Sequence, residues 1–226
     1  MRLGARPVRI AVAVAGLIPL ASLAFDFAND RLGAEPVETI TDRTGLWAFR
    51  MLLLSLAVSP LRKPLGAPWL LPHRRTFGLL AFLYAALHFA TYLVFDLDLR
   101  LAPLAEDLME RPFIAVGFAT LLLLLPLALT STRRWMRGLG RRWQRLHRLV
   151  YLAVVLAAVH FLWSAKADLR EPVLYAALAA GLLATRLIAA SGRKARKYAT
   201  LRRARSPVGA APDPQADKTR PEGSRP

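Results

Sequence analysis

Long apolar runs separated by short polar segments divide most of the chain into six blocks. Each run is close to the roughly 20 residues that a helix needs to cross about 30 Å of hydrocarbon, and the runs contain few charges. The predicted spans are Val8–Phe27, Gly45–Leu61, Phe77–Phe95, Pro112–Thr130, Leu146–Ser164 and Pro172–Ala190. This pattern predicts an all-α fold, an integral membrane bundle of six transmembrane helices that forms one domain over residues 1–190.

Charged residues alternate in sign between successive connections. Arginine and lysine precede the first span, lie between spans two and three and between spans four and five, and follow the sixth. The other connections contain 12 of the 15 acidic residues, and the remaining three, Asp213, Asp217 and Glu222, lie near the C-terminus. Positively charged connections stay in the cytoplasm. Both termini are therefore predicted to be cytoplasmic (N-in, C-in), and the acidic connections to face outward.

The two ends of the chain carry different signals. The N-terminal residues, basic and then apolar up to the small residues near Ala24, also resemble a cleavable signal peptide, whose removal would leave five spans. Residues 191–226 are basic and then rich in proline, alanine and glycine, which predicts a disordered cytoplasmic tail. The formal net charge of +17 could indicate a nucleic-acid partner, but its placement beside the spans indicates membrane lipid and no nucleic acid.

Composition restricts the chemistry further. The chain has no cysteine, which excludes disulfides, zinc–thiolate sites, iron–sulfur clusters and covalently attached c-type heme. Redox chemistry would therefore need a bound cofactor. No internal repeat, no glycine-rich phosphate-binding loop and no Ser/His/Asp arrangement is apparent in the sequence.

Three of the four histidines lie inside the predicted spans, namely His88, His147 and His160. An ionisable side chain at membrane depth is rare and indicates a functional site. For a single histidine the alternative is a hydrogen bond to a backbone carbonyl of a neighbouring helix, whereas three of them favour metal ligation. His73, beside two arginines in a basic connection, is predicted to be an exposed loop residue.

Depth separates these histidines into two levels. Spans three and five run in the same direction, and His88 follows Arg75 by 13 residues just as His160 follows His147. Each separation corresponds to about 20 Å along a helix. His88 and His160 are therefore predicted to lie at one level near the outer face, where they could form a pair of axial ligands for heme iron.

His147 is predicted to lie at the other level, beside Arg75. His147 and His160 are about 140° apart around an ideal helix, so a second heme on the same face would require bending near His147. Arg75 cannot ligate iron but can pair with a heme propionate or a phosphate. The alternatives are a second heme held by His147 alone, with water or with His73, and a contact of His147 with a flavin or a quinone.

Non-covalent heme b, one or two per chain, is the cofactor that this pattern favours. Transport of zinc or iron would favour carboxylates beside the histidines in the spans, and none is found there. A bound heme would move electrons across the bilayer. Two other classes stay open, a stand-alone transmembrane ferric or other metal reductase (or superoxide reductase) and a non-heme transporter of protons or metal.

A set of ordered motifs resembles a known family of membrane proteins. The motifs fall within Gly33–Ala190, and they include Phe82–His88, Leu139–Tyr151 and His160–Ser164. Shorter members are Gly33–Val37, Thr44–Gly45, Ser59–Arg62, Arg74–Leu79, Arg111–Ile114 and Leu127–Ser131. The set is similar to the MsrQ (formerly YedZ) family, the heme-binding membrane subunits of the bacterial periplasmic methionine-sulfoxide reductase system, which belong to the ferric-reductase-like transmembrane group.

The resemblance implies heme b bound at His88, His147 and His160, and it implies FMN. It also implies a location in the bacterial inner membrane and an electron-transfer role rather than a catalytic one. The electron donor would be the quinone pool or a flavin reductase. The acceptor would be a periplasmic molybdopterin-containing reductase that repairs oxidised methionines. The acidic connections Asp96–Glu110 and Asp26–Asp42 are candidate docking surfaces for such a partner, and the alternative is that they are solvated ends of helices.

The chain departs from the wider group at one ligand position. Ferric reductases of that group place two histidines on each of two helices and carry a cytosolic FAD/NADPH domain. This chain has Arg75 in place of the second histidine on span three, and no part of these 226 residues is expected to form such a domain. The departure leaves the number of hemes open and requires an external electron donor.

Overall fold

The computed structural model describes residues 5–62, 64–165 and 168–205, and within these ranges the regular structure is helical, without a strand. The helices are α1 (Ala5–Ala28), α2 (Pro36–Leu61), α3 (His73–Thr91), α4 (Ala102–Glu110), α5 (Pro112–Leu129), α6 (Arg133–Leu139), α7 (Arg141–Leu146), α8 (Leu149–Ser164) and α9 (Arg170–Arg205). A 3-10 turn, Pro68–Leu70, precedes α3, and a π-helical turn, Tyr92–Asp96, extends it. The all-α prediction is confirmed.

Among the described residues, six helical segments are long and apolar enough to cross a membrane, which agrees with the predicted number of spans. They are Pro7–Ala28, Pro36–Leu61, Pro68–Asp96, Pro112–Leu129, Arg141–Ser164 and Arg170–Ala189. The second begins earlier than predicted, because α2 starts at Pro36 rather than at Gly45. Proline at the first helical position has its φ angle already set for a helix, and charged residues do not end a helix that extends beyond the apolar layer.

Four helices form the centre of the bundle. α2 packs along α3 and α5 packs along α8, and contacts of α3 with α5 and of α2 with α8 join the two pairs. Buried apolar side chains fill the space between them, including Leu56, Ala153 and Val154. α1 lies against α2 and α3, where the hydroxyl of Tyr84 donates a 2.8 Å hydrogen bond to the carbonyl of Gly16.

The α1–α2 connection lies at the end of the bundle that the charge pattern places outside the cytoplasm, the predicted outer end. At that end α4 occupies part of the acidic connection between the third and fourth spans. The hydroxyl of Tyr92, in the π-helical turn, donates a short hydrogen bond to the carboxylate of Asp107 on α4. This bond fixes the acidic connection to the end of α3.

The chain divides into two compact units, Met1–Thr185 and Arg186–Pro226. The first contains the predicted site residues. In the second, the described residues are helical as far as Arg205, so the basic segment after the sixth span forms helix. Residues 206–226, which include most of the predicted disordered tail, lie outside the described residues.

Candidate cofactor site

His88 on α3 and His160 on α8 face each other inside the bundle. Their ring centroids are 6.1 Å apart, and the ring planes cross at 75°. Both side chains are half-buried. The structure thus brings together the two histidines that the depth argument placed at one level.

A backbone carbonyl fixes each of the two imidazoles. Nδ1 of His88 lies 2.9 Å from the carbonyl oxygen of Thr41 on α2, and Nδ1 of His160 lies 2.7 Å from that of Phe113 on α5. A carbonyl only accepts, so we infer that each Nδ1 carries the proton and that each Nε2 keeps a free lone pair. Such an outer hydrogen bond is the usual support of a metal-ligating histidine.

A glycine one helical turn beyond each carbonyl leaves room for the ring. A Cβ at Gly45 would lie 3.0 Å from two atoms of the His88 ring, and a Cβ at Gly117 would lie 2.7 Å from the nearest atom of the His160 ring. Real Cβ atoms essentially never approach other atoms closer than 3.0 Å. Any larger residue at Gly117, and almost any at Gly45, would therefore displace the imidazole.

These two sets are copies of one arrangement. Each histidine follows its carbonyl residue by 47 positions, and the helix pair α2–α3 recurs as α5–α8 with an offset of 72 residues. The sequences Ala85–Phe89 and Ala157–Phe161 share Ala-Ala-x-His-Phe at this offset. The expectation of no internal repeat is therefore wrong. The sequence alone hides this repeat, because few other positions are identical in the two copies.

The pair fits the axial positions of heme iron. With iron–nitrogen bonds of about 2 Å, two imidazoles on opposite sides of a porphyrin have centroids about 6 Å apart, close to the 6.1 Å between these rings. Among the described residues no group of three or more His, Cys, Asp or Glu side chains comes together. Two nitrogens are too few for a bare metal ion, whereas a porphyrin supplies the other four.

His147 occupies a break in the fifth span. α7 ends at Leu146 and α8 begins at Leu149, with His147 and Arg148 in a turn between them. The indole of Trp143 stacks on the His147 ring at 3.9 Å, and its Nε1 donates to the carbonyl of Thr130. Both residues of the turn keep helical dihedral angles, so the departure from an ideal helix is local. That a cofactor at His147 shares a face with His160 stays a prediction.

One nitrogen of His147 is available for a ligand. Nδ1 lies 3.2 Å from the carbonyl oxygen of Trp143. Nε2 is buried and makes no hydrogen bond of ordinary geometry among the described residues, although the backbone carbonyl of Leu127 also acts on this ring. A buried polar atom without a partner is unfavourable unless something else satisfies it. The group at this level would be a second heme, a flavin or another acceptor that contacts Nε2.

Of the two arginines at the start of α3, Arg74 rather than Arg75 acts on His147. Arg75 is exposed, whereas Arg74 is half-buried and its charge acts on His147. Arg74 precedes His88 by 14 residues, which leaves the two about 40° apart around α3. The angular position around α3 thus indicates that Arg74, rather than Arg75, lies on the same side of the helix as His88. A role for Arg75 in binding a cofactor stays a prediction.

His73 is not an exposed loop residue, and that prediction is wrong. It is the first residue of α3 and is only 3% exposed. The ring of Trp69 packs edge-on against it with centroids 6.1 Å apart. The 3-10 turn before α3 brings Trp69 over His73, a tertiary contact that the charged sequence around His73 did not indicate.

Comparisons with known proteins identify the class to which this chain belongs. A family model described as "Ferric reductase like transmembrane component" matches residues 44–158, about half of the chain. That span contains α2 from Thr44 onward, α3, α5 and α8 as far as Ala158. His88 lies within it, and His160 lies two residues beyond its end. The fold and the match define a multi-pass membrane protein of the ferric-reductase-like class.

Relatives narrow the class further. A protein of Xanthomonas axonopodis pv. citri is 48% identical over 182 residues, 78% of this chain and 84% of its own length. Proteins of Xanthomonas oryzae pv. oryzae (47% over 197 residues, 83% and 90%) and Brucella ovis (50% over 173 residues, 76% and 78%) are similarly close. All three are named protein-methionine-sulfoxide reductase heme-binding subunit MsrQ. The chain belongs to the MsrQ family.

Proposed function

We propose that this protein is a membrane b-type cytochrome with heme held between His88 and His160. The observation that carries the proposal is the facing pair of imidazoles, each with Nδ1 against a backbone carbonyl and Nε2 free for iron. The names of the relatives, which describe heme-binding subunits, support the same cofactor. Those names also describe a subunit of a reductase, so we infer that its role is electron transfer within an oxidoreductase complex.

The electron path follows from the two levels of the bundle. Electrons from the quinone pool or from a flavin reductase reach the heme at His88 and His160, through a second heme or FMN at His147 where the donor is cytoplasmic. They leave at the predicted outer end to a periplasmic molybdopterin-containing methionine-sulfoxide reductase. The acidic connection that contains α4 is the candidate docking surface. The membrane is the bacterial inner membrane, with both termini in the cytoplasm.

The experiment that tests this function is a cofactor analysis of the purified chain. Heme is quantified by the pyridine hemochrome spectrum and flavin by release and fluorescence. Reduction of the heme is then followed with a quinol and, separately, with a flavin reductase and its nicotinamide substrate. Protein without heme absorption would contradict the cytochrome proposal, and heme that neither donor reduces would contradict the electron path.

His147→Ala is expected to leave the heme between His88 and His160 in place. The substitution removes the buried Nε2 and the ring that stacks on Trp143, but it lies about 20 Å along the helix from His160. We expect loss of a second heme or flavin, or at least about tenfold slower reduction by the cytoplasmic donor. Stoichiometry and stopped-flow reduction measure this. Loss of both hemes together would contradict two separate levels.

The absence of cysteine makes the orientation testable without a modified background. Glu35→Cys, just before α2, is expected to react with a membrane-impermeant maleimide added to the outside of intact cells. Arg137→Cys, in α6, is expected to react only after the cells are permeabilised, because the positive-inside rule places it in the cytoplasm. The reverse labelling pattern would overturn the N-in, C-in orientation.

A further inference from the structure

An arginine lies within the second span, away from the histidine pair. Nε of Arg50 on α2 donates a 2.7 Å hydrogen bond to the hydroxyl of Tyr175 on α9. Its guanidinium lies over the rings of Trp47 at 4.9 Å and Tyr175 at 5.6 Å. None of the ion pairs among the described residues includes Arg50. A cation at membrane depth without a carboxylate partner indicates a site that uses its charge.

Arg50 borders a cavity between α1 and α2. The cavity has a volume of about 540 Å³ and is lined by Arg43, Trp47 and Arg50 from α2 and by residues of α1 that include Ala15, Ile18 and Ser22. This volume lies in the range of small-molecule sites, about 300–1,000 Å³. Several small side chains on α1 leave the space open, and the groove faces the lipid.

The lining fits a flat ring that carries hydrogen-bond acceptors. Trp47 offers an aromatic face, Arg50 offers guanidinium donors, and the α1 side is largely apolar. Arg43 is already paired with Asp26 at 2.6 Å, and this ion pair marks the predicted outer end. Arg50 lies about 10 Å farther along α2, which is deeper than the phosphate of a phospholipid. A quinone ring with its isoprenoid chain in the bilayer matches this combination.

A single helix separates the cavity from the histidine pair. Gly45 of α2 touches the His88 ring on one side, while Trp47 of α2 lines the cavity and stacks on Tyr84 at 6.4 Å. Tyr84 lies one turn before His88 on α3. A ring in the cavity would therefore be about one helix diameter, roughly 10 Å, from His88.

We propose that the groove lined by Arg50, Trp47 and Ala15 binds the headgroup of a quinol and is the entry point for electrons from the membrane. This inference rests on the proposed function, because it requires a ferric heme at His88 and His160 as the oxidant. Oxidation breaks the two O–H bonds of the quinol and leaves a quinone. Two protons would be released toward the predicted outer end. The two electrons would pass singly to the ferric iron, which would return to the ferric state between them by handing each electron to the reductase partner of the proposed function.

The test is equilibrium binding of decylubiquinone to the full-length protein in nanodiscs of zwitterionic lipid. Ala15→Phe fills the cavity, and Arg50→Leu removes the donor. Both are expected to weaken binding about tenfold or more. Val14→Phe is the matched control, since Val14 adjoins Ala15 on α1 but is exposed and does not line the cavity. It is expected to bind within about twofold of the unmodified chain.

The heme spectrum, recorded on every sample, separates the two proposals. Binding by Ala15→Phe equal to that of the unmodified chain would overturn the quinol site. A chain that holds its heme but does not bind decylubiquinone would also overturn the quinol site. This result would leave the cytochrome proposal intact. A chain that binds the quinone but no heme would instead contradict the cytochrome proposal. Nanodiscs with phosphatidylglycerol provide a further arm, because displacement of the quinone would assign the groove to an anionic lipid and overturn the inference.

Discussion

His88→Ala and His160→Ala are each expected to remove the heme held between α3 and α8. Each substitution deletes one of two axial ligands, and the remaining histidine cannot complete a low-spin iron site alone. Even loss of an outer hydrogen bond to a metal-ligating histidine weakens binding about 10- to 100-fold. Loss of the ligand itself should therefore exceed about 100-fold. Heme stoichiometry and the low-spin signal in electron paramagnetic resonance measure the effect.

Two controls make this result specific. Imidazole added to either alanine variant should restore part of the low-spin signal, because the deleted ring leaves a space of its own size beside Gly45 or Gly117. His73→Gln alters a buried histidine near the other end of α3 and should leave the low-spin signal of the heme between α3 and α8 unchanged, even if it affects a second heme. A low-spin signal that survives in His88→Ala or His160→Ala without imidazole would refute the pairing.

The sequence predicted the level of the histidine pair because the rise of an α-helix is nearly constant. Residue spacing alone therefore places His88 and His160 side by side, once both spans are known to run in the same direction. The six spans are also predictable from local sequence, because the thickness of the hydrocarbon layer sets the length of each apolar run. Neither inference needs knowledge of the neighbouring helices.

What the sequence left undetermined depends on contacts between helices. The carbonyls of Thr41 and Phe113 that hold the two Nδ1 atoms belong to α2 and α5, 47 positions away in each case. Every residue type has a backbone carbonyl, so the sequence does not show which carbonyl accepts a hydrogen bond. Here the two acceptors belong to residues as different as threonine and phenylalanine. The break at His147 is equally hidden, because Arg-Leu-His-Arg-Leu contains neither proline nor glycine.

The repeat is present in the sequence, but few identical positions mark it. Ala-Ala-x-His-Phe occurs at both histidines, and glycines precede both by 43 positions. Two helix pairs of the same direction, related by an axis along the membrane normal, are a common construction in membrane proteins. Here the repeat places two identical ligand sets on opposite sides of one space. Such an arrangement suits a symmetric cofactor that is ligated from both faces, such as a porphyrin.

Gly117→Ala and Gly45→Ala are expected to disturb the heme through the histidines alone. A Cβ at Gly117 would lie 2.7 Å from the His160 ring, which is closer than the 3.0 Å limit that Cβ atoms respect in proteins. A Cβ at Gly45 would lie 3.0 Å from the His88 ring, at that limit. The ring must move or rotate, which also strains its hydrogen bond to the carbonyl one turn earlier. Overpacking of this kind costs about 1–3 kcal/mol, so heme affinity should fall about tenfold or more, with the larger loss at Gly117.

Gly181→Ala on α9 supplies the matched control, because nothing lies within 4 Å of a Cβ at that position. Alanine should be neutral there or stabilise the helix by up to about 1 kcal/mol, with the heme unaffected. Heme titration, the midpoint potential and the thermal unfolding temperature together separate a displaced ligand from general destabilisation. The potential should shift at Gly45 and Gly117 because the histidine–carbonyl bond sets ligand basicity. If Gly117→Ala binds heme with the affinity and potential of the unmodified chain, the two glycines do not position the ligands, and the repeat reflects helix packing alone.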